Sequence, residues 1–181
     1  TRQNGYDISA DALGYPESYY TPPAEALKEI NIVRGAASLQ YGTQFGGLVD
    51  FKIKDPEKSS ELEIISRNTL GSNSLYTNFT SFSGSKNKLS YYSFLNYKKG
   101  NGFRPNSDFE SINYFIKTIL ELSPKTSIST ELTYLKYLAH QAGGLSDKMF
   151  LENPFQSNRS RNWFGLNWFL YNLKLEHQIN T

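Results

Sequence analysis

Residues 110–122, ESINYFIKTILEL, alternate between apolar and polar side chains more clearly than any other part of the chain. One face of this segment carries Ile112, Tyr114, Ile116, Leu120 and Leu122. The opposite face carries Asn113, Lys117 and Glu121. Because successive side chains of a strand point to opposite faces, the pattern predicts a β-strand with one apolar face.

Similar alternation extends to both sides of this strand. We predict six strands, at about 61–70, 74–83, 88–98, 110–122, 126–138 and 161–179. In the last strand the apolar residues occupy even positions up to Leu170 and odd positions from Leu173. This change predicts a bulge or an undetected turn near Tyr171 and Asn172.

The predicted strands are long. Globular strands have about 5–6 residues, whereas a tilted membrane strand needs about 9–11 residues of alternating pattern. A soluble β-sandwich also alternates, so the strands alone leave both architectures open. The connections favour the barrel, because 84–87 and 123–125 are short while 99–109 and 139–160 are long. Alternation of short inner turns with long outer loops is typical of outer-membrane barrels, although the short connection at 71–73 is an exception.

Residues 1–56 follow a different pattern and are predicted to form a small α+β module. Thr21 can cap a short helix that begins with Pro22 and Pro23 and turns an apolar side inward. Alternation over residues 49–53 predicts a strand, and residues 55–60 resemble a linker.

Composition excludes several classes of function. Lys and Arg number 19 against 17 Asp and Glu, and they are scattered, which disfavours a nucleic-acid partner. The chain has no cysteine and only two histidines, far apart, and it lacks the common catalytic and nucleotide-binding motifs. We therefore expect neither an enzyme nor a cofactor or a metal site.

Residues 33–51, VRGAASLQYGTQFGGLVDF, closely resemble the end of the plug domain of TonB-dependent receptors. The matching motif consists of Arg34, Gly35, Tyr41, Gly42, Gly46 and Gly47. Residues 141–147 (QAGGLSD) and 160–164 (SRNWF) fit the barrel of the same family, closest to its ferric dicitrate transporter branch.

The resemblance implies a 22-stranded antiparallel membrane β-barrel filled by a small α+β plug domain. Residues 1–56 would be the C-terminal part of the plug, and residues 57–181 the N-terminal part of the barrel. About six strands cannot close such a barrel, and open edges are not tolerated in lipid. We therefore expect the chain to be a piece of a larger polypeptide.

The resemblance also implies a function, namely active uptake of a ferric citrate-like siderophore complex across the bacterial outer membrane. Iron would enter only as part of the transported chelate. The expected partners are outer-membrane lipid, the small ferric chelate and an inner-membrane TonB-type energising complex. That complex would dock on an N-terminal plug segment that has no counterpart in this sequence.

Family position suggests that Thr43 and Gln44 lie at the plug apex, where the Gln44 amide can donate and accept hydrogen bonds. The outer loops supply further candidate ligand-binding residues, namely Arg104, His140, Gln141, Arg159 and Arg161. Arg34 is expected to pair with a carboxylate, with Glu25 and Glu29 as candidates. The glycines of the motif are expected to serve backbone geometry.

Two alternatives remain open at this level. A receptor of the same fold can import a different nutrient, and a soluble β-rich binding or adhesion module can imitate the turns of the motif. Dependence on detergent separates the membrane class from the soluble one, and chelate binding separates the substrates.

Overall fold

A computed structural model of the chain describes residues 1–9, 19–35 and 46–179. Four strands form a small sheet: β1 (Arg2–Gln3), β2 (Tyr6–Asp7), β3 (Leu27–Val33) and β4 (Leu48–Ile53). Their order is β2-β1-β4-β3, with β1 parallel to β4 and the other pairs antiparallel. The small sheet thus brings the start of the chain beside the end of the plug-like motif.

The helix predicted after Thr21 is wrong. Only one 3-10 turn forms, at Ala24–Ala26, and its N-cap is Pro23, whose side chain makes no capping bond. Strand β3 follows at once, with Leu27 opposite Ile53. Pairing with β4 satisfies the backbone along a segment rich in Ile and Val, residues that favour strands.

The six strands predicted beyond residue 60 are confirmed, with ends that agree within about three residues. They form a large antiparallel sheet of β5 (Glu63–Gly71), β6 (Leu75–Lys86), β7 (Leu89–Gly100), β8 (Phe109–Ser123), β9 (Thr126–His140) and β10 (Trp163–His177). Each strand pairs with its neighbour in sequence. The large sheet is therefore a simple meander, open in the described part of the chain.

Two details of the predicted strands are corrected. The pairing of β10 with β9 runs without interruption from Trp163 to His177, so the predicted bulge near Tyr171 is absent from this described pair. Both faces of β10 carry apolar side chains, so the switch of apolar residues from even to odd positions needs no bulge. The connection predicted at 84–87 is shorter, because β6 continues through Gly84 and the turn lies at Asn87 and Lys88. Position 84 needs glycine, since a Cβ there would collide with the Glu61 carbonyl oxygen.

The small sheet packs against one face of the large sheet, which we call the inner face. A first group, the β4 cluster, contains Ala26, Ile53, Phe79, Tyr92, Phe94 and Phe115. A second group, the Tyr20 cluster, contains Ile8, Tyr20 and Leu135, with Phe51, Trp168 and Leu170 packed against it. These clusters are the core of the described chain, and they join the two sheets.

The outer face of the large sheet is uncovered; it is apolar over β10, whereas β5 and β6 also turn Ser66, Asn68, Asn78 and Thr80 outward. Phe169, Leu173 and Leu175 are 64 %, 61 % and 65 % exposed. The connection between β9 and β10 contains a short helix that the sequence did not predict, α1 (Asp147–Glu152). No helix in the described part of the chain is long and apolar enough to cross a membrane.

Candidate functional site: the joined connections and the seam between the sheets

Two long connections leave the same end of the large sheet and are joined by Asn106. This residue lies between β7 and β8, with a φ of 57°. Its side-chain Nδ2 lies 3.1, 2.8 and 3.0 Å from the carbonyl oxygens of Gln141, Arg159 and Asn162, all in the connection between β9 and β10. One amide group thus faces three acceptors from the neighbouring connection.

Arg104 makes a second link between the connections. Its Nη2 donates to the Gly143 carbonyl oxygen at 2.8 Å, and Nη1 lies 3.5 Å from that of Gln156. The guanidinium also lies 5.7 Å from the centre of the Phe103 ring, which contacts Phe155 edge-on at 6.4 Å. The predicted ligand-binding role of Arg104 stays a prediction, and its guanidinium is engaged between the connections in this conformation.

His140 and Gln141 lie at the base of the same pair of connections. The His140 ring Nδ1 is 2.8 Å from an Asp108 carboxylate oxygen, and the backbone N–H of Gln141 donates to the Asn162 carbonyl oxygen at 2.9 Å. The Gln141 side chain is exposed. Together these bonds join the two connections into one body.

Other predicted ligand-binding residues are distributed differently. Arg159 and Arg161 are exposed at the end of the connection that precedes β10. Thr43 and Gln44, together with Tyr41 and Gly42 of the motif, lie outside the described residues. Their roles stay predictions.

The described glycines of the motif have backbone roles. Gly35 and Gly47 have φ values of 76° and 102°, which disfavour other residues. A Cβ on Gly47 would also collide with the Val33 carbonyl oxygen, whereas one on Gly46 would meet nothing within 4 Å. The end of β3 and the start of β4 therefore approach so closely that position 47 requires glycine.

The expected pairing of Arg34 with Glu25 or Glu29 is not found. Arg34 is exposed and forms no ion pair within the described ranges. Glu25 instead lies 3.7 Å from Arg67 of β5, and Glu29 accepts a hydrogen bond from Asn31 at 3.1 Å. Both carboxylates thus contact residues other than Arg34.

A buried carboxylate on the inner face, Glu131, binds the small sheet. Asn4 Nδ2 lies 2.9 Å from both Glu131 carboxylate oxygens, and Asn4 Oδ1 accepts from the Ile53 backbone N–H at 3.0 Å. Glu131 is only 4 % exposed. Sequence analysis missed this contact. No local pattern in the sequence marks it, and only the structure shows that Thr133 and Leu135, its neighbours on the same face, are also buried.

A row of alternating charges extends from Glu131. Lys117 Nζ lies 3.7 Å from Glu131 Oε1 and 3.4 Å from Asp55 Oδ1, while Lys28 Nζ lies 2.8 Å from Asp55 Oδ2. Burial works to raise the pKa of Asp55, but the hydrogen bond from Lys28 and the charges of Lys117 and Lys28 outweigh it and hold that pKa below its usual range. Asp55 is therefore ionised at neutral pH.

The tyrosines of the small-sheet segment are kept neutral by burial. Burial raises the pKa of Tyr6, and the nearby Glu131 charge adds to this effect. Burial likewise raises the pKa of Tyr20. Gln3, fully buried, donates to the Thr133 hydroxyl at 3.2 Å and to the Tyr6 hydroxyl. Neutral hydroxyls and amides thus lie on one side of the Glu131 carboxylate, and the Lys117 ammonium lies on another.

Residues that could hold a metal ion are scattered in the structure. Within residues 1–9, 19–35 and 46–179, no group of three or more His, Cys, Asp or Glu side chains comes together. The arrangement offers carbonyl, amide and guanidinium groups, which bind polar ligands by hydrogen bonds and charge.

Sequence comparisons find no relatives, since no family model and no curated protein matches the chain. Solved structures do match. The unliganded ferric citrate transporter FecA aligns with a TM-score of 0.76 and 18 % identity, over 99 % of this chain and 28 % of that one. The ferripyoverdine receptor of the outer membrane of Pseudomonas aeruginosa gives 0.60 and 17 %, over 84 % of this chain and 22 % of that one.

The siderophore receptor PirA from Acinetobacter baumannii matches with a TM-score of 0.52 and 17 % identity, over 84 % of this chain and 25 % of that one. The chain thus spans less than a third of each of these receptors. At such identities the likeness concerns the fold. The chain has the fold of a segment of the TonB-dependent receptors, which are transporters and not enzymes.

Proposed function

We propose that the chain is part of a TonB-dependent receptor that takes up a ferric chelate across the bacterial outer membrane. In this proposal residues 1–56, with the small sheet, are the C-terminal part of the plug. Residues 57–181, with the large sheet, are the first strands of a 22-stranded barrel wall. The likeness to FecA supports this division because it includes both sheets and nearly the whole chain.

The uncovered outer face of the large sheet carries the proposal. On β10 alone, Phe169, Tyr171, Leu173 and Leu175 are all at least 59 % exposed. Apolar surface on this scale is avoided by soluble proteins and marks contact with lipid or protein. The inner face meanwhile holds a packed domain, as expected of a plugged barrel. This combination favours a membrane wall over a soluble adhesion module.

We further propose a ferric citrate-like cargo. The joined connections form the outer end of the wall in this proposal, and the exposed guanidinium groups of Arg159 and Arg161 attract an anionic chelate. Gln44 and Thr43 meet it from the plug apex. Energy comes from an inner-membrane TonB-type partner that acts on the plug, and iron passes only as part of the cargo.

Transport of radiolabelled ferric citrate tests this function. We expect saturable uptake by cells whose only ferric citrate receptor is the complete protein carrying this chain, and loss of uptake without the energising partner. Replacing Arg159 and Arg161 together by Gln should weaken binding at least about tenfold, or about 1.4 kcal/mol. Each single variant, Arg159→Gln or Arg161→Gln, is compared with Lys148→Gln on the exposed α1, which also removes one positive charge and should leave binding unchanged.

Two other results would change the proposal in different ways. Uptake of a ferripyoverdine-type chelate in place of ferric citrate keeps the receptor and refutes the cargo. A protein that is extracted from cells without detergent refutes the membrane receptor itself and favours the soluble module.

A further inference from the structure

One segment of the connection between β9 and β10, residues 159–162, is held at both ends by the connection between β7 and β8. The carbonyl oxygens of Arg159 and Asn162 lie 2.8 and 3.0 Å from the Asn106 Nδ2. The segment carries Arg159 and Arg161, which are both exposed. We call it the arginine arc. A single amide group thus holds the two ends of the backbone that carries both guanidinium groups.

Asparagine is suited to position 106 for two reasons. Its φ of 57° lies in the left-handed region, which asparagine tolerates better than most residues. Its side-chain amide also offers two N–H groups to the arc and to the Gln141 carbonyl oxygen, 3.1 Å away. Glycine would keep the backbone without the donor, and aspartate would turn oxygen atoms toward the carbonyl oxygens. Asparagine supplies the backbone conformation and the donor together.

The start of the arginine arc has a second support within its own connection. Ser157 Oγ donates to the Ala142 carbonyl oxygen at 3.2 Å. Gly143 has a φ of 79°, and a Cβ there would collide with Asn158 Oδ1 and lie 2.9 Å from Arg159 Cγ. The Arg159 side chain therefore leaves the arc beside the Gly143 backbone, in a defined direction.

The two guanidinium groups of the arc keep their charge for a ligand. Neither Arg159 nor Arg161 forms an ion pair with a carboxylate in residues 1–9, 19–35 and 46–179. The carboxylate of Asp108, two residues after Asn106, contacts His140 Nδ1 at 2.8 Å instead. Guanidinium groups without such a partner can bind the carboxylate oxygens of an anionic ligand.

Holding the arginine arc in advance favours binding. A ligand that binds a mobile segment must order it, and ordering the backbone of one residue corresponds to about tenfold in a binding constant. When contacts within the protein have already ordered the segment, the ligand no longer bears this cost. The hydrogen bonds from Asn106 are contacts of this kind.

We propose that Asn106 is a positioning residue of the ligand-binding site, which fixes the arginine arc so that both guanidinium groups meet an anionic chelate together. The inference rests on the proposed function and adds to it the residue that organises the arginines. Asn106 acts through Arg159 and Arg161, and the arginines make the contact with the chelate.

Cleavage by trypsin tests, without any substrate, whether Asn106 holds the arc. Trypsin cuts after Arg and Lys, and cleavage of a folded segment requires local opening. In the complete receptor in outer membranes, we expect Asn106→Gly to be cut after Arg159 and Arg161 at least about tenfold faster than the unsubstituted receptor. Asn101→Gly is the matched control, because the Asn101 amide contacts Ser74 Oγ at 3.2 Å rather than the arc. Unchanged cleavage of Asn106→Gly, or equal acceleration in the control, overturns the proposal.

Binding of radiolabelled ferric citrate tests whether Asn106 acts through the arginines. In the complete receptor, we expect Asn106→Gly to weaken binding at least about fivefold, and Asn101→Gly to leave it within about twofold. In a receptor that already carries Arg159→Gln and Arg161→Gln, Asn106→Gly should change binding by less than about twofold. An equal loss in both backgrounds would show a merely structural role and would overturn the proposal.

Failure of this inference and failure of the proposed cargo give different results. If the unsubstituted receptor does not bind ferric citrate, the cargo is refuted, the trypsin result stands, and the same variants are measured with the anionic chelate that is taken up. If the receptor binds ferric citrate and Asn106→Gly binds it equally well, the cargo stands and the positioning role of Asn106 is refuted.

Discussion

The inner face of the large sheet has two halves that meet the small sheet in different ways. Along β7 to β10, aromatic rings and the buried Glu131 hold the small sheet closely. Along β5 and part of β6, charged and hydroxyl side chains border a polar cleft of about 430 Å³, the seam cleft, whereas Phe79 of β6 still belongs to the β4 cluster. Both halves belong to one continuous meander. The strength of the contact therefore depends on which side chains occupy the inward positions, while the backbone pairing stays the same.

The difference follows from the chemistry of the inward positions. Burying apolar surface contributes about 25 cal/mol per Å². Fully buried rings such as Phe94 and Phe115 therefore hold the small sheet against β7 and β8. Exposed ion pairs contribute little. One half thus has the properties of a domain core, and the other those of a solvated surface.

Matched isoleucine truncations should show the largest difference between the halves. Ile53→Ala removes a side chain that is 2 % exposed in the β4 cluster, and we expect a loss of about 2–5 kcal/mol. Ile65→Ala, at 41 % exposure in the seam cleft, should cost less than about 1 kcal/mol. Thermal unfolding of the complete receptor in detergent measures both. Equal losses would contradict the contrast between the halves.

The contact between Asn4 and Glu131 should show the next largest effect. In a double-mutant cycle of Asn4→Ala and Glu131→Gln, we expect a coupling free energy of about 1.5–3 kcal/mol, because the amide donates to a buried carboxylate. Denaturant unfolding of the four proteins measures it. Ser66 and Thr80, whose exposed hydroxyls are 3.1 Å apart, provide the control cycle, with coupling below about 0.5 kcal/mol. A coupling as small as that of the control would show that Glu131 does not hold the small sheet.

The pH dependence at Asp55 should be the smallest effect. Its pKa is held low in the folded state, so its contribution is present above the ordinary aspartate value of about 3.9 and is lost as the pH falls through the folded pKa. Because the carboxylate is half exposed, Asp55→Asn should cost at most about 1 kcal/mol at pH 7, and the cost should disappear once the pH has fallen below the folded pKa.

Melting temperatures of the two proteins across this pH range measure the difference. Lys28→Gln, which removes one of the two partners of Asp55, should reduce the pH dependence without abolishing it, since Lys117 remains. A difference that grows on acidification would contradict the low pKa of Asp55.

Periodicity found the strands of the large sheet because alternation in segments such as 110–122 is a local property. It did not reveal which face is covered. The apolar stripe through Ile112, Tyr114 and Ile116 points away from the small sheet, while the buried positions of β8 include Asn113 and Phe115. Packing against a second sheet and contact with lipid produce the same period, so the sequence alone does not distinguish them.

The small sheet was harder to predict because its pairing is not local. The 3-10 turn ends at Leu27 and β3 begins there, because β4 is available to pair with it. Since β4 follows only after a long connection, the residues around Leu27 do not reveal this partner. The contact of Asn4 with Glu131 joins positions far apart in the chain and leaves no local signal. The spacing of the strands predicted the long connections, but not that Arg104 and Asn106 bind carbonyl oxygens of the neighbouring connection.

The strand order has a consequence for the sequence of events during folding. Every pair in the large sheet joins strands that follow one another, so each closes a local hairpin at modest entropic cost. Strand β1, in contrast, pairs in parallel with β4, so that Arg2 lies opposite Asp50. Non-local pairings of this kind form slowly. The ladder of β1 therefore stays incomplete until β4, further along the chain, is available to pair with it.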